Sequence, residues 1–136
     1  MQARAISRTT ASSRARLQVV LLALAAWNLV TFLLELVSTA LIDVERVDGL
    51  LGGHAVSGAS AVLGVAYVYA ARNPVRYRVI VWLALIEQVV ALFSMTFHWA
   101  REDVSFGEVA LPMLVATIFL VLLLTGLPRQ TDTMTA

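Results

Sequence analysis

A chain of 136 residues would ordinarily make one modest soluble domain, but 60% of these residues are hydrophobic, only 14% are charged and the net charge is +1, a mixture that belongs in hydrocarbon rather than water. The absence of cysteine excludes disulfide-forming membrane oxidoreductases, quinone-linked thiol reductases, iron–sulfur proteins and S-acylated anchors. No phosphate loop, metalloprotease motif, nucleophile elbow or basic–aromatic patch is present, which leaves nucleic acid out as a partner and the lipid bilayer in.

The bilayer core is about 30 Å thick and a helix rises about 1.5 Å per residue, so a crossing needs about 20 apolar residues. Four segments meet that length, 17–37, 50–71, 79–99 and 106–127. The expected fold is all-α, a bundle of four transmembrane helices forming one domain, with tails at 1–16 and 128–136.

The first tail holds Arg4, Arg8, Arg14 and Arg16 and no acid. Its Arg- and Ser-rich composition resembles that of a signal or transit peptide, but the apolar run that follows continues through Leu34, longer than the about 7–15 residues of a signal h-region. The first helix is expected to stay uncleaved. Along it Asn28, Thr31, Glu35 and Ser38 recur at helical spacing and share a face.

The connection after the first helix is acidic on balance, Asp43, Glu45 and Asp48 against Arg46. The second helix is rich in small residues, and Gly58, Ala61 and Gly64 keep one side of it low. Such a side lets neighbouring backbones approach where lipid offers no hydrophobic drive. This predicts that the second helix is the central one of the bundle. His54 lies about one turn into it.

Arg72, Asn73 and Pro74 end the second helix, because proline disfavours a helical conformation before it and donates no N–H. Arg76 and Arg78 complete a basic turn, so the second and third helices form an antiparallel hairpin. Tyr67, Tyr69, Tyr77 and Trp82 cluster at this edge, and Phe97, Trp99 and Phe106 at the other, as amphipathic rings do at headgroup depth.

On the third helix Glu87, Ala91, Ser94 and His98 share a face, with Gln88 beside Glu87. Glu87 lies near mid-span, where snorkelling is hard, so it is protonated or hydrogen-bonded, or it is functional. The third connection is again acidic, Glu102 and Asp103 against Arg101. Glu108 opens the fourth helix, Pro112 is expected to bend its outer end, and the large apolar run 120–124 suits a lipid-facing surface.

Eight of the ten arginines fall in the two tails and the second connection. The positive-inside rule places that side, and both termini, in the cytoplasm. The expected location is a cell inner (plasma) membrane, multi-pass. No internal repeat supports an inverted-repeat transporter.

The polar residues within the spans are the functional lead. Glu35, His54, His98 and Glu108 are each near the outer end of a different helix, with Glu87, Gln88 and Asn28 deeper as a polar floor. If the outer four converge, two carboxylates and two imidazoles can hold a divalent metal such as zinc or pass protons, and two histidines also raise bis-imidazole haem ligation. His98 and Glu108 are equally close enough to the interface to be solvated, and Glu108 is favoured at a helix N-terminus by the dipole alone. No cofactor at all is the simplest expectation.

The hairpin of the second and third helices resembles the small BphX-like and DoxX-like four-helix bacterial membrane proteins, through Gly64, the run Tyr69-Ala70-Ala71-Arg72-Asn73-Pro74, Val81-Trp82 and Glu87. The likeness covers about a fifth of the chain, and the region joining the third and fourth helices departs from that pattern. It implies a four-helix membrane bundle in which Glu87 is the intramembrane acid. The residues themselves fit an accessory or self-associating subunit of a membrane complex, a proton- or metal-linked transporter or binding protein, or a membrane redox protein, in that order. No catalytic residue is assigned.

Overall fold

The structure is a computed structural model that describes the backbone of residues 2–41 and 47–127, and side chains over 13–34, 36–37 and 58–127. It is all-helical there: α1 (Gln2–Leu41), α2 (Val47–Arg72), α3 (Arg78–Ala100) and α4 (Phe106–Gly126). Three stretches, Ser13–Leu34, Arg78–Ala100 and Phe106–Gly126, are long and apolar enough to cross a membrane. The helical ends of α3 and α4 fall within a residue of the expected spans. Helix α1 instead begins far upstream of residue 17, because nothing between Gln2 and Leu41 is glycine or proline and polarity alone does not stop a helix.

Neighbouring helices run antiparallel in a closed ring. Gly64 of α2 lies against Ala25 and Leu29 of α1, and Gly126 of α4 against Leu17 of α1. The ring order is α1, α2, α3, α4 and back to α1, with α1 and α2 packed most extensively. Helix α2 is therefore not central, contrary to the expectation from its small residues. Each helix has two flanking partners, and α2 spends its smallness on one of them, α1. A Cβ at Gly64 would lie 2.9 Å from Leu29 Cγ and 3.3 Å from the Ala25 carbonyl oxygen.

The basal end of the bundle, where Leu17, Arg72, Arg78 and Gly126 gather, holds the core. Leu17, Leu21 and Leu24 of α1, Tyr67 and Ala70 of α2, Val81 and Ala84 of α3 and Leu123 of α4 are all buried in one cluster. Leu123 lies inside the run expected to face lipid and is fully buried, while its neighbours Val121 and Leu124 are exposed. Toward the distal end burial fades. Beyond Asn28 on α1 and beyond Gln88 on α3 no described residue is buried, and Val109 alone is buried in α4 before Ala116.

The polarity of the molecule is inverted relative to a water-soluble bundle. Val79 is 81% exposed and Phe93 73%, whereas the buried polar side chains among the described residues are Asn28 and Gln88. That inversion is what a hydrocarbon solvent selects.

The connections follow from local chemistry. After α2, the Asn73 side-chain oxygen accepts from the Arg76 N–H at 3.3 Å and the Asn73 carbonyl from the Tyr77 N–H at 3.1 Å, closing a turn whose second residue is Pro74. Pro74 is fully buried beneath it. After α3, the Asp103 N–H bonds the His98 carbonyl and the Glu102 N–H the Trp99 carbonyl, both at 3.0 Å. With Glu102 at φ 61°, this is a Schellman ending in which glutamate occupies the left-handed position usually held by glycine.

Candidate functional site

Directly above the basal core, three of the four helices contribute to one polar cluster, and α1 reaches it across the ring. Tyr67 of α2 donates its hydroxyl to Glu87 Oε2 of α3 at 2.5 Å, and Gln88 donates its amide to the same oxygen at 3.1 Å. The Asn28 side chain of α1 lines the same cleft as Glu87 and donates to the Leu24 carbonyl at 3.2 Å. The carboxylate thus meets two neutral donors, as a polar group in a low-dielectric interior requires.

Antiparallel geometry explains why Tyr67 takes part. Side chains on a helix lean toward its N-terminus. Tyr67 starts five residues from Arg72, about 7.5 Å from the basal end of α2, and Glu87 nine residues from Arg78, about 13.5 Å up α3. The two helices run oppositely, so Tyr67 leans up and Glu87 leans down, and they meet. Tyr67 is fully buried; it is not the headgroup-level ring expected from its position near the turn. Tyr69 and Tyr77 pair beside the turn, with ring centroids 4.8 Å apart and Arg72 and Arg76 over their faces.

This cluster floors a cleft of about 260 Å³ whose lining includes Asn28, Glu87 and Gln88. Ala91, Ser94 and Met95 of α3 form one wall, continuing the face on which Glu87 lies, and Trp27 with Pro112 and Ala116 of α4 forms the other. Ser94 is exposed, so the cleft opens toward the distal end. Pro112 sits inside a continuous α4, and its missing N–H leaves the Glu108 carbonyl without an intrahelical donor at the cleft side of the helix. Among the described residues no arginine or histidine lines the cleft.

The expected outer cluster divides. His98 Nδ1 is 3.0 Å from Asp103 Oδ2, and Arg101 Nε is 3.7 Å from the same oxygen. Glu108 accepts from both the N–H and the hydroxyl of Ser105, each at 2.7 Å, which satisfies the start of α4. Each is thus held by its own connection. The side chains of Glu35 and His54 lie outside the described residues, and among those described no group of three or more His, Asp or Glu could hold a metal. Of the packing residues, Gly64 and Ala61 are at least partly covered, while Gly58 is exposed and a Cβ there would meet nothing within 4 Å.

Comparison with protein-family models, with curated proteins and with solved structures gives no match for this chain.

Proposed function

We propose that this chain is a four-span protein of a bacterial inner (plasma) membrane, with both termini cytoplasmic, that binds a proton or a small cation at Glu87, as a membrane binding protein or the binding step of a transporter. The arginine distribution supports the orientation, and the likeness of the α2–α3 hairpin to BphX-like and DoxX-like proteins supports the bacterial setting and the singling out of Glu87. The observation that carries the reading is the placement of one carboxylate, held by Tyr67 and Gln88, on the floor of a cleft that no basic residue lines among the described residues.

An ionised carboxylate there has hydrogen bonds but no countercharge among the described residues, and an unpaired charge away from water is costly. Either a proton or a cation from the cleft removes that cost, and the two compete for one site. The test is proton release: tetramethylammonium chloride is added to the purified protein in weak buffer while pH is followed. The wild type releases up to one proton per chain, and Glu87→Gln releases none. Release that is unchanged in Glu87→Gln, or absent from the wild type across pH 5–9, defeats the reading.

A second reading, a self-associating or accessory subunit of a larger membrane complex, is favoured by Gly58, whose side of α2 is open to another helix. Under it Gly58→Leu shifts the particle mass in native mass spectrometry and Glu87→Gln does not.

A further inference from the structure

A second hollow adjoins the cleft from outside the bundle. It is an apolar groove of about 410 Å³ on the α1–α4 seam, with Ala23, Ala26 and Val30 on one bank and Val115, Ile118 and Phe119 on the other. Trp27 is the one described residue that lines both hollows. On α4 the two linings are adjacent stripes: Pro112 and Ala116 face the cleft, and Val115, Ile118 and Phe119 the groove. The indole of Trp27 is therefore a partition between a polar chamber inside the ring and an apolar channel on its lipid side.

The two hollows differ in the chemistry they accept. The cleft is smaller than the about 300–1,000 Å³ typical of pockets for drug-sized ligands, and its described lining offers a carboxylate, hydrogen-bonding amides and an aromatic ring, with no cation among them. A compact ammonium fits that set, with Glu87 as counter-ion and the Trp27 face as a cation–π partner. The groove offers apolar surface alone and takes an alkyl chain.

Resting on the reading of Glu87 as a cation site, we propose that the ligand is a single-chain amphiphilic amine that reaches the site sideways from the bilayer, its ammonium on Glu87 and its chain along the α1–α4 groove, with Trp27 turning aside to join the two. Three features converge on this. The charge of the head complements Glu87, the one acid among the described lining residues. The groove is continuous with the cleft through a single side chain. The seam is also thinly packed at this level, since Ala23 and Ala26 are small and exposed and Trp27 is only half-buried.

The experiment uses the full chain in nanodiscs with Trp82→Phe and Trp99→Phe, both exposed positions, so that Trp27 is the sole tryptophan. The probes are ω-bromododecylammonium, a neutral bromododecane at the same lipid mole fraction, and tetramethylammonium. Quenching of Trp27 by the amine saturates and exceeds that by the neutral chain, and Glu87→Gln brings it down to the neutral level. Ala26→Phe, which fills the groove from an exposed position, weakens dodecylammonium binding about tenfold or more and leaves proton release by tetramethylammonium intact. Quenching no greater than with the neutral chain, or undiminished in Ala26→Phe, overturns the lateral amphiphile while tetramethylammonium release still upholds the Glu87 site. Loss of Glu87-dependent signal from both amines overturns the two together.

Discussion

The Tyr67 hydroxyl and the Glu87 carboxylate, 20 residues apart in the chain, are joined by a 2.5 Å hydrogen bond immediately above the packed core. This bond ties the last turns of α2 to the middle of α3, and it fixes which oxygen of Glu87 is occupied. Tyr67→Phe keeps the ring and removes the donor. Because the acceptor is then left short of a partner away from water, the variant is expected to lose about 1–3 kcal/mol in unfolding by sodium dodecyl sulfate from mixed micelles. Glu87→Gln, which still offers an oxygen to Tyr67, is expected to unfold close to wild type while losing proton release.

At Gly64 the space is already full. Gly64→Ala places a methyl 2.9 Å from Leu29 Cγ, and overpacking of this kind costs about 1–3 kcal/mol. The matched prediction is that Leu29→Ala restores most of the loss in the double variant. Gly58→Ala, with nothing within 4 Å, is expected to be neutral or to stabilise by up to about 1 kcal/mol through helix propensity. Thermal denaturation of the purified variants ranks them.

Glu102 adopts a left-handed conformation, φ 61°, at the end of α3. Glu102→Gly relieves the contact between Cβ and backbone without disturbing the Schellman bonds, and a gain of about 0.4–1 kcal/mol is expected. The same unfolding assay reads it, and a loss of stability there would show that the glutamate side chain contributes more than its backbone strain costs.

The lack of native cysteine makes the orientation directly measurable. In right-side-out vesicles, Arg101→Cys is expected to react with a membrane-impermeant maleimide before lysis and Arg76→Cys only after it. The reverse pattern would invert the bundle and place the cleft mouth on the cytoplasmic side.

Much of this architecture was legible in the residues, for identifiable reasons. Apolar run length located the helices, and the Asn73-Pro74 turn separated α2 from α3. The spacing of Glu87, Ala91 and Ser94 marked the face that lines the cleft, and Asn28 and Gln88 were recognisable as its polar company. The start of α1 was not legible, since hydropathy reports the solvent a segment prefers and not where its hydrogen bonding stops. Tyr67 was hidden for another reason: its distance from the turn suggested a rim residue, and only the opposed lean of side chains on antiparallel helices carries its hydroxyl up to Glu87. The small residues of α2 signalled close approach without saying to which neighbour, and Gly64 and Gly58 turn out to differ entirely. His98 and Glu108 lay at the expected end, but five- and three-residue reaches to Asp103 and Ser105 competed successfully with any longer-range meeting.

The concentration of buried side chains at one end gives the bundle the mechanics of tongs. The grip is the leucine, alanine and tyrosine layer from Leu17 to Leu123, and the described arms of α1 beyond Asn28 and of α3 beyond Gln88 carry no buried side chain. A tilt of a few degrees at the grip becomes a displacement of several ångströms at the tips, about 1.5 Å of lever arm being added with each residue. In a bilayer, its thickness and lateral pressure would bear on the width of the cleft through that lever.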